Sequence, residues 1–174
     1  MLSLTSGHSE NSTSLLSTWE NTKLDFDQRC TAITTFLNTT TSRDSLAYFT
    51  NAFLNEVQQK PDCPEQWQGI ALYFQARLQL QQGHTQQAGE LLHQTLDFEP
   101  FLPDSILALA YTKQAAILRA QNEYVKSAHS FQKAASLFEK INRYGEAASS
   151  YNLLGGSVFY ELGMYREALT YYMK

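Results

Sequence analysis

The feature that most restricts this chain is an internal repeat. Ala76, Gly83, Ala88 and Leu92 are followed 39 residues on by Ala115, Asn122, Ser127 and Phe131, and a further 41 residues on by Gly156, Gly163, Ala168 and Tyr172. Small residues align with small ones, turn-formers with turn-formers, and large apolar residues with large apolar ones. Self-similarity of this kind means stacked copies of one supersecondary unit, each burying its apolar face against the next. Within a unit, a first helix is predicted to end at Gly83, Asn122 or Gly163, residue types that tolerate the left-handed conformation closing a helix. A second helix follows at once. In the middle unit its apolar face reads Tyr124, Ala128, Phe131, Ala135, Phe138 and then Ile141. Ala76, Ala115 and Gly156 are expected to face Ala88, Ser127 and Ala168 across the hairpin, where lack of bulk lets two helices close up. Leu92, Phe131 and Tyr172 then fill the wider gap toward the next unit.

Helical periodicity extends back to Leu24. The spacing of Phe26, Cys30, Ile33 and Leu37, and of Leu46, Phe49, Phe53 and Val57, predicts two more helices. Thr39–Thr41 breaks the chain between them, because hydroxylated residues favour turns and caps. The four prolines fall in two pairs, Pro61 with Pro64 and Pro100 with Pro103, which leaves long stretches free for helix. Pro61 and Pro64 close the hairpin, Pro100 ends a second helix, and Asp104 reads as the N-cap of the next first helix. Residues 1–22 are rich in Ser, Thr and Asn and read as mostly flexible, with Leu15, Leu16 and Trp19 docking onto the first helices. No sustained apolar–polar alternation favours a strand. The expectation is an all-α chain with a flexible segment 1–22, a helical hairpin 23–61 and a region 62–174. That region holds three repeats at about 69–102, 108–141 and 149–174, the last truncated.

Of the 174 residues, 43% are hydrophobic and 17% charged, so a real core can form. The 13 basic and 17 acidic residues give a net charge of -4, which speaks against direct nucleic-acid binding. The opening MLSLTSGHSENSTS lacks the basic start and apolar run of a secretory signal. No stretch approaches the roughly 18 apolar residues of a membrane span. A cytoplasmic protein without membrane contact is expected, in which the sequons at Asn11 and Asn38 would meet no glycosylation machinery. Cys30 and Cys63 form no C-x-x-C and read as reduced and at least half-buried, with a disulfide as the alternative. His8, His84, His93 and His129 are scattered, without metal-ligand spacing, and read as surface residues. No G-x-S-x-G, P-loop or G-x-G-x-x-G occurs, and Gly155-Gly156 lies within a helical pattern, where it reads as close packing. Glu161 and Glu167, both near a turn, are a weak basis for acid–base chemistry. The many Tyr and Phe residues fall at core spacing. Neither catalysis nor a cofactor or metal is expected.

These residues resemble the tetratricopeptide repeat family. The segment AASSYNLLGGSVFYELGMYREALTYYMK, 147–174, carries that family's Gly156, Phe159, Leu162-Gly163 turn, Tyr165, Ala168-Leu169 and Tyr172. The segment YTKQAAILRAQNEYVKSAHSFQKA, 111–134, has Tyr111 at a favoured aromatic position and Ser127 where the family prefers Ala. The unit at 69–100 is looser, with Gln79 and Thr85 in apolar positions, while Ala76, Gly83, Ala88 and Pro100 hold. The resemblance implies an α-α superhelix, a solenoid of antiparallel helix pairs that holds a protein or peptide. The family's usual period is about 34 residues. Longer repeats, joined by a connection such as LFEKINRYGEA (137–147), are similar to those of bacterial signalling and regulatory proteins. In these the array precedes a diguanylate cyclase, histidine kinase or DNA-binding module. The resemblance thus implies either the N-terminal sensory or scaffold region of such a protein, or a free-standing regulator that binds a peptide or a transcription factor.

With the core positions assigned, the residues left to line the concave face of the first helices can be named. They are Tyr73 and Arg77 of one unit, Thr112, Lys113 and Arg119 of the next, and Ser157 and Tyr160 of the third. Three cations and two tyrosines suit an extended, somewhat acidic peptide or an amphipathic helix; ordinary solvated helix faces are the alternative. The Lys and Asn arrangement with which some chaperone-binding family members clamp a terminal carboxylate is not reproduced. Leu169, Tyr172 and Met173 have no following helix to cover them. The array is therefore expected to continue past Lys174 or to form a homodimer through this uncapped helix.

Overall fold

The computed structural model describes residues 6–173, apart from the side chains of 6–10, 157, 158 and 172. Among these residues the chain is all-α, with nine helices packed sequentially in antiparallel pairs and no strand. They are α1 (Ser6–Glu20), α2 (Phe26–Thr39), α3 (Arg43–Gln59), α4 (Glu65–Gln81) and α5 (Thr85–Asp97), then α6 (Asp104–Ala120), α7 (Tyr124–Lys140), α8 (Tyr144–Leu153) and α9 (Tyr165–Tyr172). A short 3-10 turn, Glu99–Phe101, joins α5 to α6, and α8 runs on into a π-helical stretch, Leu154–Phe159.

Side chains set several of the helix starts. Asp25 accepts from the amide of Gln28 at 2.8 Å and Ser42 from that of Ser45 at 3.2 Å, each satisfying a donor that the first turn leaves unpaired. The cap expected at Asp104 is not formed. Pro103, in extended conformation, occupies the cap position, and Asp104 is already the first helical residue. Its carboxylate instead meets Lys140 Nζ at 2.7 Å, tying the start of α6 to the end of α7.

Four helix ends close in one way. Gly83, Asn122, Asn142 and Gly163 lie in the left-handed region, with φ of 84°, 63°, 59° and 70°. After each, the next amide donates to the carbonyl five residues back. These bonds run from His84 to Gln79 and from Glu123 to Leu118, both 2.9 Å, and from Arg143 to Phe138 and Met164 to Phe159, both 2.8 Å. This is the Schellman closure, which satisfies carbonyls left over at a helix end. Five residues beyond each left-handed residue stands a small buried one: Ala88, Ser127, Ala147 and Ala168. The sequence pattern identifies three of these turns. It misses Asn142, which lies inside the connection that lengthens the repeat.

Gly155, and not Gly156, meets Ala168. A Cβ on Gly155 would lie 2.9 Å from the carbonyl oxygen of Ala168 and 3.2 Å from Cβ of Tyr171, so only glycine fits without displacing backbone. In the middle unit the corresponding approach is bridged by a hydrogen bond, in which Ser127 Oγ donates to the Ala115 carbonyl at 2.8 Å. The expected pairing of Gly156 with Ala168 is thus displaced by one residue. The cause is the π-helical stretch, where the Tyr160 amide donates to the Gly155 carbonyl at 3.3 Å, five residues back. Such a turn takes in one extra residue without ending the helix.

The segment expected to be flexible is helical over Ser6–Glu20. Leu15 and Leu16 pack against the core and Trp19 is buried. Trp19 meets Phe53 edge-on at 6.1 Å, and Phe53 meets Trp67 edge-on at 6.4 Å. Arg29 then fastens three helices. Its guanidinium lies 5.0 Å from the Trp19 ring centre, its Nε donates to the Trp19 carbonyl at 2.8 Å, and its terminal nitrogens meet Glu56 at 2.5 and 3.0 Å. Large aromatic anchors with such a clamp explain how a segment sparse in apolar residues docks. The main core runs from α1 to α6, and a separate cluster of Ala115, Phe131, Ala135, Tyr151 and Leu154 joins α6, α7 and α8. Cys30 and Cys63 are free, buried thiols, and burial pushes both away from ionisation.

Candidate functional site

Alternate helices meet at a pocket of about 390 Å³. Asn38 from the end of α2, Tyr73 and Arg77 from α4, Ser105 and Lys113 from α6, and Arg143 just ahead of α8 line it, with Ile106 and Leu109 adding apolar wall. The helical period dictates this grouping. Tyr73 and Arg77 are four residues apart, as are Ser105, Leu109 and Lys113 in succession, so each set shares one helix face. Among the described residues no acid lines the pocket.

The three cations differ in what they already bind. Arg77 donates from Nη1 to the Leu37 carbonyl at 2.8 Å, one of the last four carbonyls of α2 that have no partner within the helix. It therefore caps α2 as well as walling the pocket. Arg143 donates through Nε to Glu146 Oε1 at 2.9 Å and lies 5.3 Å from the Phe138 ring centre. That hydrogen bond is the main reason the exposed Glu146 carboxyl is held below its ordinary value. Lys113 is half-buried and has no hydrogen-bond or ion-pair partner among the described residues. Burial lowers its pKa, and the positive charge of Arg77 lowers it further. Tyr73 packs edge-on against Phe74 at 5.2 Å. Burial pushes its hydroxyl up to about 12, against the opposing pull of Arg77 and Arg143.

Of the residues expected to face a groove, the structure gathers Tyr73, Arg77 and Lys113 at this pocket. Tyr73 is corrected in one respect: it is a buried wall, only 2% exposed, rather than an open groove residue. Its place beside Phe74 on a helix whose residues 67–80 are all buried or half-buried leaves no free face for the ring. Thr112 turns its hydroxyl back to the Ala108 carbonyl at 2.8 Å and does not line the pocket. Arg119 is half-buried in the last turn of α6, beyond the pocket. Tyr160 is exposed after the π-helical stretch, edge-on to Tyr165 at 5.4 Å. Ser157 falls outside the described side chains. The sequence reading missed Asn38, Ser105 and Arg143. Arg143 was within reach, because it follows the left-handed Asn142 as Glu123 follows Asn122.

A second pocket, about 400 Å³, lies between α3 and α4, with Leu54, Val57, Leu72 and Phe98 as apolar walls and the Cys63 thiol beside them. His84, His93 and His129 are exposed, His84 Nδ1 lying 2.8 Å from Gln79 Oε1, while His8 is outside the described side chains. Among the described residues no three of His, Cys, Asp and Glu gather as metal ligands, and no helix is long and apolar enough to cross a membrane. Neither the models of known protein families nor the curated proteins match this chain.

Proposed function

We propose that this chain is a non-catalytic interaction module. In this reading it is a tetratricopeptide-like superhelix that forms the sensory or scaffold region of a larger, cytoplasmic bacterial signalling protein. It holds an extended acidic segment of a partner across the face its first helices share. The observation that carries the reading is the pocket itself: beside the end of α2, helices α4 and α6 and the head of α8 bring three cations to one opening that no acid lines among the described residues. The recurrence of one left-handed closure at four helix ends supports a repeat array as its frame.

Fluorescence polarisation against a panel of extended peptides, acidic and neutral, tests this. Arg77 stays intact because it caps α2, and the variant is Lys113→Glu with Arg119→Glu. Acidic peptides are expected to bind more tightly than neutral ones. The double variant is expected to bind them at least about tenfold more weakly, equivalent to about 1.4 kcal/mol, with an unchanged circular dichroism spectrum. No preference for acidic peptides, or equal affinity in the double variant, would refute the reading.

A further inference from the structure

We propose that the pocket bounded by α2, α4, α6 and the head of α8 is an oxyanion site, which takes one phosphate or carboxylate group between Lys113, Arg77 and Arg143. The interaction-module reading bears only on which molecule carries that group.

Charge is the first argument. Three other cations that reach across to a neighbouring helix have acidic partners: Arg29 with Glu56, Lys133 with Glu99, Lys140 with Asp104. Lys113 has none among the described residues, although it is half-buried and its charged neighbour is Arg77. Like charges brought together away from water repel more strongly than at the surface. A residue placed there only for packing would be apolar, and methionine would fill the same space without an ammonium group.

Geometry is the second. Arg77 spends one N–H on Leu37, and a guanidinium has five, so donors remain for an oxyanion. Lys113 adds three donors on a flexible stem. Asn38 and Ser105 supply neutral polar groups at the same opening, whose volume of about 390 Å³ falls in the range of small-ligand sites. Two features work against an anion. Glu146 draws on Arg143, and the C-terminus of α2 presents carbonyl oxygens. Arg77 already covers one of those carbonyls, and the Arg143–Glu146 pair is an exposed contact within one helix turn, weak enough for a buried anion to compete with it.

The test separates this from a structural role. Thermal unfolding is followed in sodium phosphate and in sodium chloride of equal ionic strength, for the wild type, Lys113→Met and Arg143→Gln. Phosphate is expected to raise the wild-type midpoint saturably, by roughly 5 °C. Lys113→Met should lose that rise while melting no lower than the wild type in chloride, and Arg143→Gln should need several-fold more phosphate. A blocked tetraglutamate peptide replaces phosphate in a parallel series. A rise with both probes, absent in Lys113→Met, supports the site and admits a peptide carboxylate as ligand. A rise with phosphate alone supports the site and counts against the acidic-peptide reading. An equal rise in the wild type and Lys113→Met, or none with either probe, overturns the proposal.

Discussion

Truncating Phe131 to alanine probes the packing of the repeat most directly. The ring is fully buried, in contact with a cluster made of Ala115, Ala135, Tyr151 and Leu154. Two of these neighbours are alanines with no atoms to move into the space. The helices that carry them cannot easily close either. The left-handed turn at Asn122 joins α6 to α7 at one end, the Asp104–Lys140 pair joins them at the other, and Ser127 ties to the Ala115 carbonyl between. Collapse is therefore limited, and the loss should fall within the range for a large-to-small core change, about 3–5 kcal/mol. In a chain of this length each kcal/mol lowers the melting midpoint by about 2–4 °C, so a fall of roughly 6–20 °C is expected. Urea unfolding followed by circular dichroism gives the free energy, with Val125→Ala as control, since Val125 is 72% exposed. The control should stay within about ±0.5 kcal/mol. Because the cluster is separate from the main core, a lower denaturant slope in Phe131→Ala would mark α7–α9 unfolding apart from the rest. A loss below about 1 kcal/mol would show that Phe131 does not occupy this interior.

Three further outcomes follow from individual side chains. The Thr50 hydroxyl is buried with no partner among the described residues, so Thr50→Val should raise stability by on the order of 1 kcal/mol in urea unfolding; a decrease would reveal a hidden acceptor. Tyr73 is buried and its pKa is raised from 10.0 to about 12, so the neutral phenol favours the fold below pH 10. That contribution, on the order of 2–3 kcal/mol, is lost as pH climbs from 10 toward 12. Tyr73→Phe should lose correspondingly less stability over that interval, and superimposable pH profiles would refute the assignment. Gly155→Ala should destabilise by roughly 1–3 kcal/mol, because the new methyl meets the Ala168 carbonyl oxygen at 2.9 Å. Gly145→Ala, with open space around it, should gain about 0.5–1 kcal/mol; equal melting points for the two variants would remove the close approach from the account.

Much of the helical pattern was legible because it depends on local chemistry. Gly83, Asn122 and Gly163 mark left-handed closures, Thr39–Thr41 separates α2 from α3, and the face containing Phe131, Ala135 and Phe138 is buried. What escaped depended on distant partners. Helix α1 has few apolar residues, and its docking rests on Trp19 meeting Phe53 and on Arg29 meeting the Trp19 ring and carbonyl. Neither meeting has a trace in local spacing. The pocket was half legible. Helical spacing set Arg77 and Lys113 apart from the core, but that Arg77 caps α2 through Leu37 needed the placement of α2 against α4. Asn38 drew notice only as part of a sequon, since its position at the end of α2 gains meaning only once α4 and α6 lie beside it.

The residue count from the close helix contact to the left-handed turn, seven from Ala115 to Asn122 but eight from Gly155 to Gly163, has a physical explanation. One extra residue in an α-helix rotates everything beyond it by about 100°. If α8 had stayed α-helical through its full length, either its contact with α9 or its closing turn would have faced the wrong way. The π-helical stretch at Leu154–Phe159 absorbs that residue between the two demands. Upstream, Tyr151 and Leu154 keep their places against Phe131. Downstream, Met164 still bonds back to Phe159 and Gly163 still takes φ of 70°. Gly155 sits where the inserted residue must be accommodated, and its missing side chain lets the helix pass the Ala168 carbonyl. The contact and the turn persist although the residue count between them differs. What the repeat preserves is therefore the juxtaposition of surfaces, and sequence spacing follows that juxtaposition only while the helix keeps one pitch.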